Sequence, residues 1–111
     1  MLPKDLENYL SEVSRVLKTE GRCLITFFLL NPASKQSIET KTSQIDFRYE
    51  QDCYRTVDKN IPEKAIAYDE KFVRRLYEKH ELNVVEPIHY GSWSGRVGHV
   101  SFQDLVVATK D

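Results

Sequence analysis

The side chains best suited to chemistry gather towards one end of the chain. His89, Tyr90, Trp93, Arg96, His99 and the pair Gln103-Asp104 surround the glycine-punctuated stretch Gly91-Ser-Trp-Ser-Gly-Arg-Val-Gly98. Trp93 offers a flat apolar face, and the planar guanidinium of Arg96 can grip a carboxylate or phosphate through two donors. Asn31 closes an apolar run, where a strand gives way to a loop. Tyr90, Trp93, Arg96 and Asn31 are therefore the candidates for contact with a substrate. A plainer reading of the loop stays open beside this one, with Trp93 capping the core and Arg96 paired with an acid. Gln103 and Asp104 begin a strand, where a hairpin-bracing role suits them.

Other chemistries find little support. His89 and His99 can face each other across a hairpin, but two histidines without a placed carboxylate do not make a metal site. His80 sits on the apolar face of a helix and reads as a packed residue. Cys23 and Cys53 belong to no CxxC and have no histidine at ligand spacing, so no metal is expected, while a disulfide between them stays open. No Ser, His and Asp order points to nucleophilic catalysis, and no catalytic residue is singled out.

The elements that must position these residues follow from the apolar pattern. Leu6, Leu10, Val13 and Leu17 form one stripe, so residues 3–20 are predicted as a helix, opened by Pro3 and stopped by Gly21 in a left-handed conformation. Residues 22–30 form an unbroken apolar run, which suits a strand covered on both faces. The polar segment 31–68 carries scattered anchors and is expected to hold short strands or turns as a substrate-side insertion or cover. Asp69 is placed to cap a second helix over 69–82. Strands are predicted over 83–90, with Pro87 marking an edge or bulge, and over 102–109. Alternating helix and strand make this an α/β unit of about three strands and two main helices, closed by an antiparallel hairpin. Strands 22–30 and 83–90 should run parallel to each other, and both of them and the loop should open on the same rim, beyond the strands' carboxyl ends.

Composition narrows the function classes. The 111 residues suit a single domain, 1–111, and 41% hydrophobic with 11% aromatic content argues against disorder. Sixteen basic and seventeen acidic residues leave a net charge of -1, with no basic patch for nucleic acid. The apolar run Cys23 to Leu30 falls far short of the roughly 20 residues that cross a bilayer. No signal peptide opens the chain, so a cytoplasmic location, with no membrane and no nucleic acid, is the expectation.

The stretch Tyr9-Leu-Ser-Glu-Val-Ser-Arg-Val-Leu-Lys-Thr-Glu-Gly-Arg-Cys-Leu-Ile-Thr-Phe-Phe resembles the "E-x-x-R-V-L-K-P-G-G" passage of class I S-adenosylmethionine-dependent methyltransferases, with Thr19-Glu20-Gly21 in place of Pro-Gly-Gly. Gly91-Ser-Trp-Ser-Gly-Arg and Phe102-Gln-Asp-Leu-Val-Val-Ala-Thr-Lys110 look like the closing hairpin of one branch of that family. The resemblance implies the C-terminal half of a partial doubly wound, Rossmann-like domain, with the last strand lying between strands 22–30 and 83–90. It also implies S-adenosylmethionine as cofactor of the complete domain and a small-molecule methyl acceptor. Gly21, Gly91, Gly95 and Gly98 do not form the family's cofactor loop between a strand and a helix, so no cofactor-binding residue is assigned and tight binding by this chain alone is not expected. Two functions follow: part of such an enzyme completed by an N-terminal half, or a non-catalytic half-domain acting in dimerisation or protein interaction. In either case the edge of strand 22–30 is expected to pair, as a homodimer or with another chain, with the alternative that segment 31–68 folds back to cover it.

Overall fold

The structure, a computed structural model, describes residues 2–51, 53–58, 60, 65–95 and 102–110. Among these, the chain is mixed α/β, with three helices and two sheets rather than two helices and one three-stranded sheet. The first helix, α1 (Pro3–Val16), buries Leu6 and Leu10 completely and starts with proline, whose missing N–H has no partner to lose there. It ends before the predicted boundary at 20. Leu17 is extended, and the left-handed residue is Glu20, with φ 68°, rather than Gly21. Gly21 is needed for a different reason: a Cβ there would lie 2.7 Å from the Lys18 carbonyl oxygen.

The apolar run that follows divides at Phe28 into β1 (Arg22–Phe27) and β2 (Leu29–Leu30), which belong to different sheets. In β1, Cys23, Ile25 and Phe27 pack into a core shared with Leu6 and Leu10, whereas Leu24 on the opposite face is 60% exposed. Helices thus cover one face of this strand among the described residues, and the expected cover on both faces is not found. Asn31-Pro32 then opens a helix instead of a loop, α2 (Pro32–Glu39). Asn31 Oδ1 accepts the Ser34 N–H at 3.0 Å and Ser34 Oγ accepts the Asn31 N–H at 2.9 Å, a reciprocal cap that the proline at the first turn completes.

The rest of the segment 31–68 supplies β3 (Tyr49–Glu50), β4 (Tyr54–Thr56) and β5 (Ile66–Asp69). These join β2 in a four-stranded sheet of order β2-β5-β4-β3, in which only β2 and β5 are parallel. Phe47, Ile38, Leu30, Ala67 and Trp93 make a second core beneath it.

Next come α3 (Glu70–Lys79), β6 (Leu82–Val84) and β7 (Asp104–Lys110). β7 lies between β1 and β6 and runs antiparallel to both, the order expected for the last strand. β1 and β6 therefore run in the same direction without touching, and every pairing in this sheet is antiparallel. The predicted strand 83–90 is interrupted. Val85 and His89 still bond to Val107 and Leu105, while residues 86–88 leave the ladder around Pro87, whose peptide bond is cis. No helix among the described residues is long and apolar enough to cross a membrane.

Candidate functional site

Two carboxylates organise the rim where the chain passes from one sheet to the other. The first is Asp104, 1% exposed at the start of β7. Its Oδ2 accepts the Leu29 N–H at 2.7 Å and the Trp93 indole N–H at 2.9 Å, and its Oδ1 accepts the Gly91 N–H at 2.6 Å. Gly91 has to be glycine because a Cβ would run into the backbone of Phe102 and Gln103. Three donors from two segments offset the cost of burying this charge. Trp93 itself is fully buried in a short 3-10 turn, Ser92–Ser94, with its ring edge-on to Phe28 and Phe47. In this position the ring serves the second core.

The second carboxylate is Glu70, in the first turn of α3. Its Oε1 accepts the Tyr90 hydroxyl at 2.7 Å and the Asn31 side-chain amide at 3.2 Å, and its Oε2 accepts Arg74 Nε at 3.0 Å. Arg74 reaches on to Glu86. Burial pushes the Glu70 carboxyl up, but the hydrogen bonds from Tyr90, Asn31 and Arg74 and the Arg74 charge outweigh it and hold it below the ordinary value of 4.5. Glu70 is thus a fixed negative charge at neutral pH and a poor proton acceptor. Burial and the same carboxylate together push the Tyr90 hydroxyl up.

Beside Glu70 a cleft of about 350 Å³ opens between the N-terminal halves of α2 and α3, a size within the roughly 300–1,000 Å³ of small-molecule sites. It lies beyond the carboxyl ends of the parallel strands β2 and β5, with Leu30 and Pro32 supplying apolar surface. Asn31 and Lys35 line one side, and Asp69, Glu70, Lys71 and Arg75 the other. Asp69 does not cap α3 with its side chain but pairs with Lys35 at 3.3 Å.

The candidate residues are therefore distributed as follows. Asn31 lines the cleft, Tyr90 meets it through Glu70, Trp93 lies in the core behind, and Arg96, with His99, lies outside the described residues. Sequence reasoning missed Glu70, Lys35, Lys71 and Arg75. Among the described residues no group of three or more His, Cys, Asp or Glu side chains could hold a metal ion, and no disulfide joins Cys23 and Cys53. His80 caps the end of α3, with Nε2 3.3 Å from Glu7. No family model matches the sequence, and no solved structure matches the fold.

Proposed function

We propose that this chain forms the C-terminal, substrate-side part of a cytoplasmic, S-adenosylmethionine-dependent methyltransferase domain with a doubly wound sheet, acting on a small-molecule acceptor. The observation that carries the reading is the placement of β7 between β1 and β6, antiparallel to both, the order that the sequence resemblance implies. A cleft at the carboxyl ends of β2 and β5, where open α/β sheets take their ligands, supports it. The residues of the chain's own that serve the acceptor are Asn31 and Tyr90, both fixed by Glu70, with Trp93 bracing the loop that leads to Arg96. Their task is alignment, which accounts for most of what methyl transfer asks of a protein.

Among the described residues nothing fits the cofactor. Gly21 precedes a strand, and Gly91 and Gly95 flank the 3-10 turn, so none supplies a loop of backbone N–H groups at a helix N-terminus. The experiment compares two proteins by calorimetry: the 111 residues alone, and the same residues joined to whatever the reading frame upstream of the Met1 codon encodes. Binding of S-adenosylmethionine only by the longer protein is the expected result. An upstream frame without a strand, Gly-rich loop and helix, or micromolar binding by the short chain, would overturn the reading.

A second reading, a non-catalytic half-domain that associates through its sheet, is favoured by one observation. Among the described residues no strand pairs with the outer edge of β1, where Leu24 is exposed. Because β2 is covered by β5, the edge available for pairing is 22–27 and not the whole of 22–30.

A further inference from the structure

The charges around the cleft do not cancel, and the imbalance identifies the ligand. Both acids that line it are compensated inside the protein: Asp69 by Lys35 at 3.3 Å, and Glu70 by Arg74 at 3.0 Å together with the Tyr90 hydroxyl and the Asn31 amide. Two cations on the same wall, Lys71 and Arg75, have no acid partner among the described residues. They stand four residues apart on α3, so both side chains project from one face of the helix, and both are exposed. Opposite them, Leu30 and Pro32 give the cleft an apolar part.

We infer that this cleft binds a small anion, an organic carboxylate or phosphate monoester, with its charge between Lys71 and Arg75 and its apolar body against Leu30 and Pro32. Arg75 supplies two parallel donors suited to either oxyanion, and Lys71 supplies a mobile point charge. Asp69 and Glu70 are already paired, with Lys35 and Arg74, and do not compete for the two cations. The identification of this anion as the methyl acceptor rests on the proposed methyltransferase reading; the anion site itself does not.

The test is a titration of the 111-residue chain with benzoate, and with benzamide as its neutral isostere, followed through the backbone amide resonances. Benzoate should shift the amides of Asn31, Lys35, Lys71 and Arg75 saturably, and benzamide should not. In a Lys71→Gln/Arg75→Gln double variant the benzoate affinity should fall about tenfold, as expected for losing both charges at a partly screened site. Equal responses to benzoate and benzamide, shifts centred elsewhere, or an unchanged affinity in the double variant would overturn the site. The comparison on the unsubstituted chain holds whether or not the variant folds. None of these measurements needs a methyl donor. A longer protein that fails to bind S-adenosylmethionine while benzoate still saturates the cleft would remove the methyltransferase reading and leave the anion site standing.

Discussion

Asp104 Oδ2 lies 2.7 Å from the amide nitrogen of Leu29, joining residues 75 positions apart at the point where the apolar run changes sheets. The same carboxylate holds Gly91 and Trp93, so one side chain fixes the start of β2, the start of β7 and the loop between β6 and β7. Asp104→Ala would leave three buried donors without an acceptor. The expected loss is about 3–5 kcal/mol of folding stability, the range for removing one member of a buried charged network. Urea unfolding followed by the fluorescence of Trp93, the chain's one tryptophan, measures it. A loss below about 1 kcal/mol would show that the carboxylate is not a main tie between the sheets.

Tyr77 carries the opposite kind of polar group. It is fully buried at the centre of the first core, edge-on to Phe27, and its hydroxyl finds no hydrogen-bond partner among the described residues. Burying an unsatisfied hydroxyl costs about 1–3 kcal/mol. Tyr77→Phe removes that cost and leaves the ring in place, so the variant should be more stable, by about 1 kcal/mol and a few degrees of melting temperature. A clear fall in melting temperature would mean that the hydroxyl has a partner.

Glu70 makes stability depend on pH in a predictable direction. Its folded-state carboxyl titrates below the ordinary 4.5, because the donors around it outweigh its burial. The folded chain therefore holds this proton less tightly than the unfolded chain does. Its contribution is complete above about pH 4.5 and is lost as pH falls through the lower, folded value. Glu7, Glu12 and Glu86 are shifted in the same direction by their own cations, so the total slope is not Glu70's alone. The difference between the wild type and Glu70→Gln isolates it: the stability gap should be constant at neutral pH and narrow below about pH 4.5. Parallel curves down to acid pH would refute the clamp.

The parts legible in the sequence are those that local pattern dictates. The stripe through Leu6 and Leu10 is enough for α1, and the apolar runs around Ile25 and Val106 are enough for two strands. α2 escaped because Asn31-Pro32 ends a strand as readily as it caps a helix, and because Ser34 and Ile38 are its only buried residues. The turn after α1 departs from the glycine stop that the sequence suggests, since Glu20 accepts the left-handed conformation that glycine usually takes. Asn31 and Tyr90 were recognisable by type, but the residue joining them was not. Glu70 is 39 positions from one and 20 from the other, and a glutamate opening a helix looks like an ordinary partner of the helix dipole. Trp93 fits a ligand platform and a core cap equally well in sequence, and only its burial separates the two.

The edge of β1 supports the last prediction. Leu29 donates its N–H to Asp104 on the β7 side, whereas the Phe28 carbonyl accepts the Tyr68 N–H on the side of β5. Alternation along the strand therefore aims the N–H and C=O groups of Arg22, Leu24 and Thr26 away from β7. β5 covers this side only at β2, and no proline or lysine lies within Arg22–Phe27 to blunt the rest. A second copy related by a two-fold axis at Leu24 would set Leu24 opposite its own equivalent and Arg22 opposite Thr26, without like charges facing each other. The isolated chain is accordingly expected to associate with concentration, and sedimentation would show species above the 13.0 kDa monomer. Leu24→Lys places two ammonium groups opposite each other in that pairing and should return the chain to a monomer. Because Leu24 is 60% exposed, the same change should leave the melting temperature of the monomer within a few degrees. A wild-type chain that stays monomeric at high micromolar concentration, or association that survives Leu24→Lys, would rule this edge out as the interface.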